Sequence, residues 1–176
     1  MTETVELPEG FEASFEDGIL TVSDGDNELE KKMDHSLVDT EVTDSEVSFT
    51  AVRDKKDVYS IASTYKAHTE NMIQGLQEEY VYKMKGVYAH FPMTIKQENN
   101  EVVIENFMGE QYPRKVDIME GVTVKVDGDD VEVSGHDKEK VSQTAARIEQ
   151  MCRKGNRDPR TFQDGVYITE TNGGDE

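Results

Sequence analysis

Several things are scarce in this chain, and each absence narrows what it can be. There is a single cysteine, Cys152, so no internal disulfide can form, which fits a reducing cytoplasm. No run of eighteen apolar residues occurs, so no helix is expected to cross a membrane. The first residues, MTETVELPEG, lack the basic start and apolar core of a secretion signal. No phosphate-binding glycine loop, nucleophile elbow or paired catalytic motif is present. His35, His68, His90 and His136 are scattered, and none has a ligand partner at metal spacing. Asp127, Asp129 and Asp130 around Gly128 lack the rest of a calcium loop and read as a hairpin turn. These absences leave no metal, no cofactor, no small-molecule substrate and no enzyme to argue for.

Positive charge is scarce too. The 176 residues hold 19 Lys and Arg against 38 Asp and Glu, a formal net charge of -19. Such a surface repels nucleic acid at ordinary salt, but in molar salt the Debye length falls to about 3 Å and the repulsion is nearly gone. Hydrated carboxylates also keep a surface soluble there, so the composition points to a cytoplasm of high ionic strength. The plainer reading is an acidic protein-binding module in ordinary salt.

Against that background, one segment reverses sign. Met151 to Gln163, MCRKGNRDPRTFQ, carries Arg153, Lys154, Arg157 and Arg160 with Asp158 as its one acid. Cations gathered on a stretch rich in Gly, Asn and Pro point to an anionic partner, and the commonest cellular polyanion is nucleic acid. Charge runs are also commonly plain solvated loops. The halves differ in the same sense: residues 1–83 have 7 basic and 20 acidic residues, residues 84–176 have 12 and 18. The second half is the one expected to make the contact.

The apolar residues are patterned, which argues for folding rather than disorder. The pattern repeats at an offset of about 83 residues. Ile19, Leu20 and Val22 alternate as a strand after Asp17-Gly18, and Val102, Val103 and Ile104 open its counterpart. Lys31, Lys32 and Met33 fall against Arg114, Lys115 and Val116; Val42, Val47 and Phe49 against Val124, Val131 and Val133. Each half then has one helix. Val58, Ile61, Ala62, Tyr65, Thr69, Met72 and Leu76 form one stripe, with Asp54 as its expected cap and Gly75 near its end. Val141, Thr144, Ala145, Ile148, Met151 and Cys152 form the other, with Asp137 as cap and Gly155 as stop. Cys152 thus reads as a core thiol, not a nucleophile. The expected fold is α+β: two similar domains, each a small, mainly antiparallel sheet packed by one helix, over residues 1–80 and 81–169, with a disordered tail at 170–176. The aromatic and β-branched run after Glu79 reads as strand.

Three stretches, GVYAHFPM (Gly86 to Met93), VVIENFMGEQYPRKV (Val102 to Val116) and FQDGVYIT (Phe162 to Thr169), closely resemble the archaeal and eukaryotic branch of the large-subunit ribosomal protein six family. AHTENMIQG (Ala67 to Gly75) fits the same family, and the likeness runs in order over nearly the whole chain. The resemblance implies two duplicated α+β domains and no catalysis. It implies binding to large-subunit rRNA near the sarcin-ricin loop, beside the docking place of translational GTPases, among neighbouring large-subunit ribosomal proteins in the cytoplasm. Most of that contact belongs to the C-terminal domain. The acidity is like that of salt-loving archaea and departs from the family's usual basic character.

Carried onto this sequence, the resemblance places RNA contact on Arg153, Lys154, Asn156, Arg157 and Arg160, continuing into Phe162, Gln163, Gly165 and Tyr167. The residue types agree: Arg and Lys pair with phosphates, and Asn156 offers a donor and an acceptor to a base edge or a 2′-hydroxyl. Gly155 and Gly165 would allow close backbone approach. Phe162, ahead of the hairpin-like Asp164-Gly165 pair, fits a core ring as well as a stacking one. Arg114 and Lys115 match a basic pair in the family and form a second candidate contact, though the residues alone favour cross-strand pairing with acids such as Glu110. Lys66, His68 and Asn71 on the first helix complete the set. The rival to an rRNA-binding structural protein is an acidic adaptor for protein partners, which leaves the cationic segment unexplained. A small hydrolase has neither a nucleophile nor a metal cluster to stand on.

Overall fold

The computed structural model of the chain describes residues 1–89, 91–153 and 164–172. It divides into two compact units, Met1–Glu78 and Glu79–Glu176. The first unit runs β1 (Thr2–Glu6), β2 (Glu12–Glu16), β3 (Ile19–Ser23), β4 (Glu28–Lys32), β5 (Val38–Val42), β6 (Glu46–Ala51) and α1 (Lys56–Gln77). The second runs β7 (Tyr80–Val87), β8 (Thr94–Glu98), β9 (Glu101–Glu105), β10 (Arg114–Asp117), β11 (Thr123–Asp127), β12 (Asp130–Gly135), α2 (Lys138–Met151) and β13 (Gly165–Thr171).

Each unit holds two small antiparallel sheets, not one. In the first they are β1-β6-β5 and β2-β3-β4; in the second, β11-β12-β7-β13 and β10-β9-β8. The duplication is plain in the pairing. Val5 faces Val47 as Met84 faces Val131, and Phe15 faces Leu20 as Gln97 faces Val102. The β2–β3 hairpin turns on Asp17 and Gly18, both at positive φ, and the β8–β9 hairpin on Asn99, φ 53°. These turns need left-handed backbone, which Gly, Asn and Asp adopt most readily. Each alternating strand turns one face inward. Leu20, Val22, Val47, Phe49, Val58 and Ala62 are sealed in the first core; Val102, Ile104, Val133, Val141, Ala145 and Ile148 in the second. Tyr65 on α1 sets its ring edge-on to Phe49, 5.8 Å between centroids.

Three expectations are corrected. Leu20 and Val102 are matched at an offset of 82, while Val47 and Val131 are matched at 84. The cause is connection length: Val22 and its partner Leu29 are 7 residues apart, Ile104 and its partner Arg114 are 10 apart, and one residue is given back before the β5–β6 and β11–β12 hairpins. Across β3, Leu20 faces Lys31 and Val22 faces Leu29; across β9, Val102 faces Val116 and Ile104 faces Arg114. Arg114 is therefore the counterpart of Leu29, not of Lys31. Likewise Val42 corresponds to Val126, since each lies opposite the matched valine, and Val124 corresponds to Thr40.

The second correction is at a helix end. Asp137 does cap α2, accepting from the N–H groups of Glu139 (3.0 Å) and Lys140 (3.3 Å). Asp54 does not cap α1, which begins beyond Lys55 without a side-chain cap; its carboxylate instead accepts from the Tyr59 hydroxyl. Gly75 is buried in the last turn of α1, near its end as expected.

The third concerns the tail. Glu170 and Thr171 belong to β13, and Asn172 ties that strand down: its Oδ1 accepts from Val81 N–H (2.7 Å) and its Nδ2 donates to the Glu79 carbonyl (3.1 Å).

Candidate nucleic-acid interface

Most of the cationic segment lies outside the described residues: Lys154, Gly155, Asn156, Arg157, Arg160, Phe162 and Gln163. What the structure gives is the frame on either side of it. Arg153, exposed, follows the end of α2, and Asp164 precedes β13.

The frame on the helix side is made by Arg114. Its Nε and Nη2 donate to the two carboxylate oxygens of Glu110 at 2.8 and 2.6 Å, a fork that only a planar guanidinium makes. Its Nη1 donates to the Met151 carbonyl at 2.6 Å and to that of Arg153 at 3.2 Å. The guanidinium lies 4.6 Å from the centre of the Phe107 ring, which is itself sealed in the core. The hydrogen bond to Glu110 raises the Arg114 pKa against the opposing effect of burial, so the charge is firmly held. The last carbonyls of a helix have no partners of their own, and a cation there also meets the negative end of the helix dipole. Arg114 thus joins β10 and its preceding loop to the point where the chain leaves α2. Among the described residues, four of its five N–H bonds have partners. Phe107 sits in a short 3-10 turn, Phe107–Gly109, flanked by Asn106 and containing Met108, both left-handed (φ 59° and 49°).

The frame on the strand side is made by Asp164, which is buried. Its Oδ1 accepts from Ala89 N–H at 3.2 Å, just beyond the end of β7. Gly165 opens β13 opposite Val87, so Asp164-Gly165 leads into a strand that pairs with β7. Gly165 is buried, and a Cβ there would meet the Tyr167 ring at 3.2 Å. Its smallness makes room for this chain's own tyrosine. Tyr167 is half-buried; burial first, then Cys152 and Asp164, raises its hydroxyl pKa. Cys152 is buried, and its thiol is pushed up to about 11.

The remaining candidates are spread out. Lys115 is exposed on β10, on the opposite face of the strand from Arg114. Lys66, His68 and Asn71 are on α1 in the first unit. Lys66 pairs with Glu3 of β1 at 3.2 Å. At about 100° per residue, His68 and Asn71 share one side of the helix and Lys66 points roughly the other way. Among the described residues, no group of three His, Cys, Asp or Glu could hold a metal ion, and no helix is long and apolar enough to cross a membrane.

Sequence reasoning missed Asp164 and Ala89, and the reach of Arg114 to the helix end. The fork to Glu110 had a local signal, their spacing of four residues; the carbonyls of Met151 and Arg153 had none.

The family model described as Ribosomal protein L6 matches residues 91–165, which include Arg114, the cationic segment and Asp164. The chain is 40% identical over 171 residues to "Large ribosomal subunit protein uL6" of Methanococcus vannielii, covering 97% of this chain and 94% of that protein. It is 42% identical over 164 residues to the protein of the same name in Methanospirillum hungatei, covering 93% of each. The Methanobrevibacter smithii protein of that name is 43% identical over 167 residues, 94% of this chain and 93% of its own. The identity is that high over nearly the full length, and these three relatives are archaeal: this chain belongs to the ribosomal protein L6 family, on its archaeal side.

Proposed function

We propose that this protein is a structural, non-catalytic constituent of the large ribosomal subunit in the cytoplasm. In this reading its second unit holds the 153–163 segment against large-subunit rRNA near the sarcin-ricin loop, beside the place where translational GTPases dock. Membership of the L6 family supports the ribosomal role, since its relatives carry the name of large-subunit proteins. The observation that carries the RNA contact is the segment itself. It has four cations and one acid in a chain of net charge -19, and is tied at one end by Arg114 and at the other by Asp164. Arg153, Lys154, Arg157 and Arg160 would neutralise phosphates, and Asn156, Phe162, Gln163 and Tyr167 would meet sugars and bases. Arg114 chiefly positions, while exposed Lys115 makes a separate backbone contact. Lys66, His68 and Asn71 would be a lesser contact from the first unit.

Held ends matter physically. A segment already ordered at its anchors loses less conformational entropy on binding than a free tail does. The test is Arg153→Glu, Arg157→Glu and Arg160→Glu together, expressed in cells and followed on sucrose gradients. The variant should fold with an unchanged circular dichroism spectrum and be missing from large subunits. Normal incorporation would overturn the RNA reading.

A further inference from the structure

The two units share a three-stranded ladder, but they end it differently. In the second unit β13 covers the outer side of β7. In the first, β1 takes the place of β7, and no strand among the described residues lies on its outer side. The direction of the backbone groups follows from the register. Leu7 N–H donates to the Ser45 carbonyl and Ala51 N–H to that of Met1. Every second residue between them, Glu3 and Val5, therefore turns its N–H and C=O to β6. Thr2, Thr4 and Glu6 turn theirs outward. Their counterparts are Val81, Lys83 and Lys85, whose outward groups meet β13; Asn172 N–H donates to the Val81 carbonyl at 3.2 Å.

We propose that β1 is a docking edge for an extended, basic segment of a neighbouring polypeptide, added as a fourth strand where β13 sits in the second unit. The edge has no proline, no lysine and no bulge in its register with β6, and its charges are the acids Glu3 and Glu6. A row of alternating N–H and C=O groups matches a peptide backbone. Charge selects the occupant. In the second unit β7 carries Lys83 and Lys85, and the strand it receives brings Glu170 to 3.4 Å from Lys83. In the first unit Glu6 stands where Lys85 stands, Glu46 lies opposite it, and Asp39 and Glu41 follow on β5. At the edge the sign is reversed once, Glu6 for Lys85, while Thr4 replaces Lys83 and Glu46 is acidic as Asp130 is, so this edge holds no cation and the incoming strand is the one to supply them. A phosphate backbone would be repelled, and a second copy would set acid against acid. The proposal rests on the strand edge and its charges, not on the cationic segment, so it can fail while the RNA reading stands.

The probe is a ten-residue peptide of alternating lysine and valine with blocked ends, added to the full chain in high salt to screen non-specific attraction. It should bind and slow amide exchange at Thr4 and Glu6 by about tenfold or more, with Val5, already bonded to β6, unchanged. Thr4→Pro removes an outward N–H that the β6 ladder does not use. It should weaken binding by about tenfold or more, with the melting temperature within a few degrees of the parent. The same peptide carrying N-methyl groups on alternate residues should fail to bind the unaltered chain, whatever Thr4→Pro does to folding. Binding without protection at Thr4 and Glu6, or equal binding by the N-methyl peptide, overturns the proposal. So does protection of those amides in the chain alone with a dimer in sedimentation, which would make a second copy the occupant.

Discussion

Arg114 on β10 donates through Nη1 to the carbonyl of Met151, the last residue of α2, across 2.6 Å. A helix end and an edge strand 37 residues apart are fastened by one side chain, whose fork to Glu110 leaves it little freedom to rotate. The charge that sequence reading offers to an RNA partner is first used inside the protein.

Arg114→Lys tests this division of labour. It keeps the charge and loses the fork, and a lysine cannot serve Glu110 and two carbonyls in that geometry. Urea denaturation should show a loss of about 2 kcal/mol, since these groups are only partly exposed and their bonds are charge-assisted. Lys115→Ala, on the exposed face of the same strand, should change stability by less than about 0.5 kcal/mol.

Thr40 carries a hydroxyl that is buried without a hydrogen-bond partner, and its counterpart in the second unit is Val124. A buried, unpaired hydroxyl costs more than a methyl group of similar volume. Thr40→Val should therefore raise stability by about 1 kcal/mol, read as a higher urea midpoint at unchanged slope.

The two aspartates ahead of the helices should part company. Asp137→Ala removes an N-cap that serves two N–H groups and should cost about 1 kcal/mol. Asp54→Ala removes no cap, only an exposed bond to Tyr59, and should cost less than about 0.5 kcal/mol. Paired thermal melts of the two variants make the comparison.

Cys152 gives a pH dependence. Burial raises its thiol from the ordinary 9.0 to about 11, so the folded state holds the proton that the unfolded state gives up. That contribution is complete below pH 9 and is lost as pH rises from 9 to 11, on the order of 2 kcal/mol. Stability should fall over that window, and Cys152→Ala should flatten the fall. At pH 8 only about a thousandth of the thiol is ionised, so a thiol reagent should react slowly with the folded chain and fast in urea.

The acidity predicts a salt response. At net charge -19 the folded chain repels itself, and potassium chloride raised from about 0.1 to 2 M should increase the urea midpoint through screening. A midpoint that falls with salt would remove the high-salt setting from consideration.

What the sequence determined by itself is local and periodic. Alternation gave the short strands, the stripes of Val58 to Leu76 and Val141 to Cys152 gave the helices, and repetition of both gave two related units. Asp137 was legible because a cap acts within three residues of itself. Tertiary structure decided the rest. Constant spacing set Arg114 against Lys31, but a connection three residues longer by register put it in the place of Leu29, next to the end of α2. Gly165 was expected to let a partner close, and the partner is Tyr167 two residues on. Asp164 reached Ala89 because β13 pairs with β7, which begins 85 residues earlier in the chain. Which strand follows which helix onto which sheet edge leaves no periodic mark, because backbone groups pair the same way whatever side chains they carry. That choice covers β7 with β13 and leaves the outer groups of β1 without a neighbouring strand among the described residues.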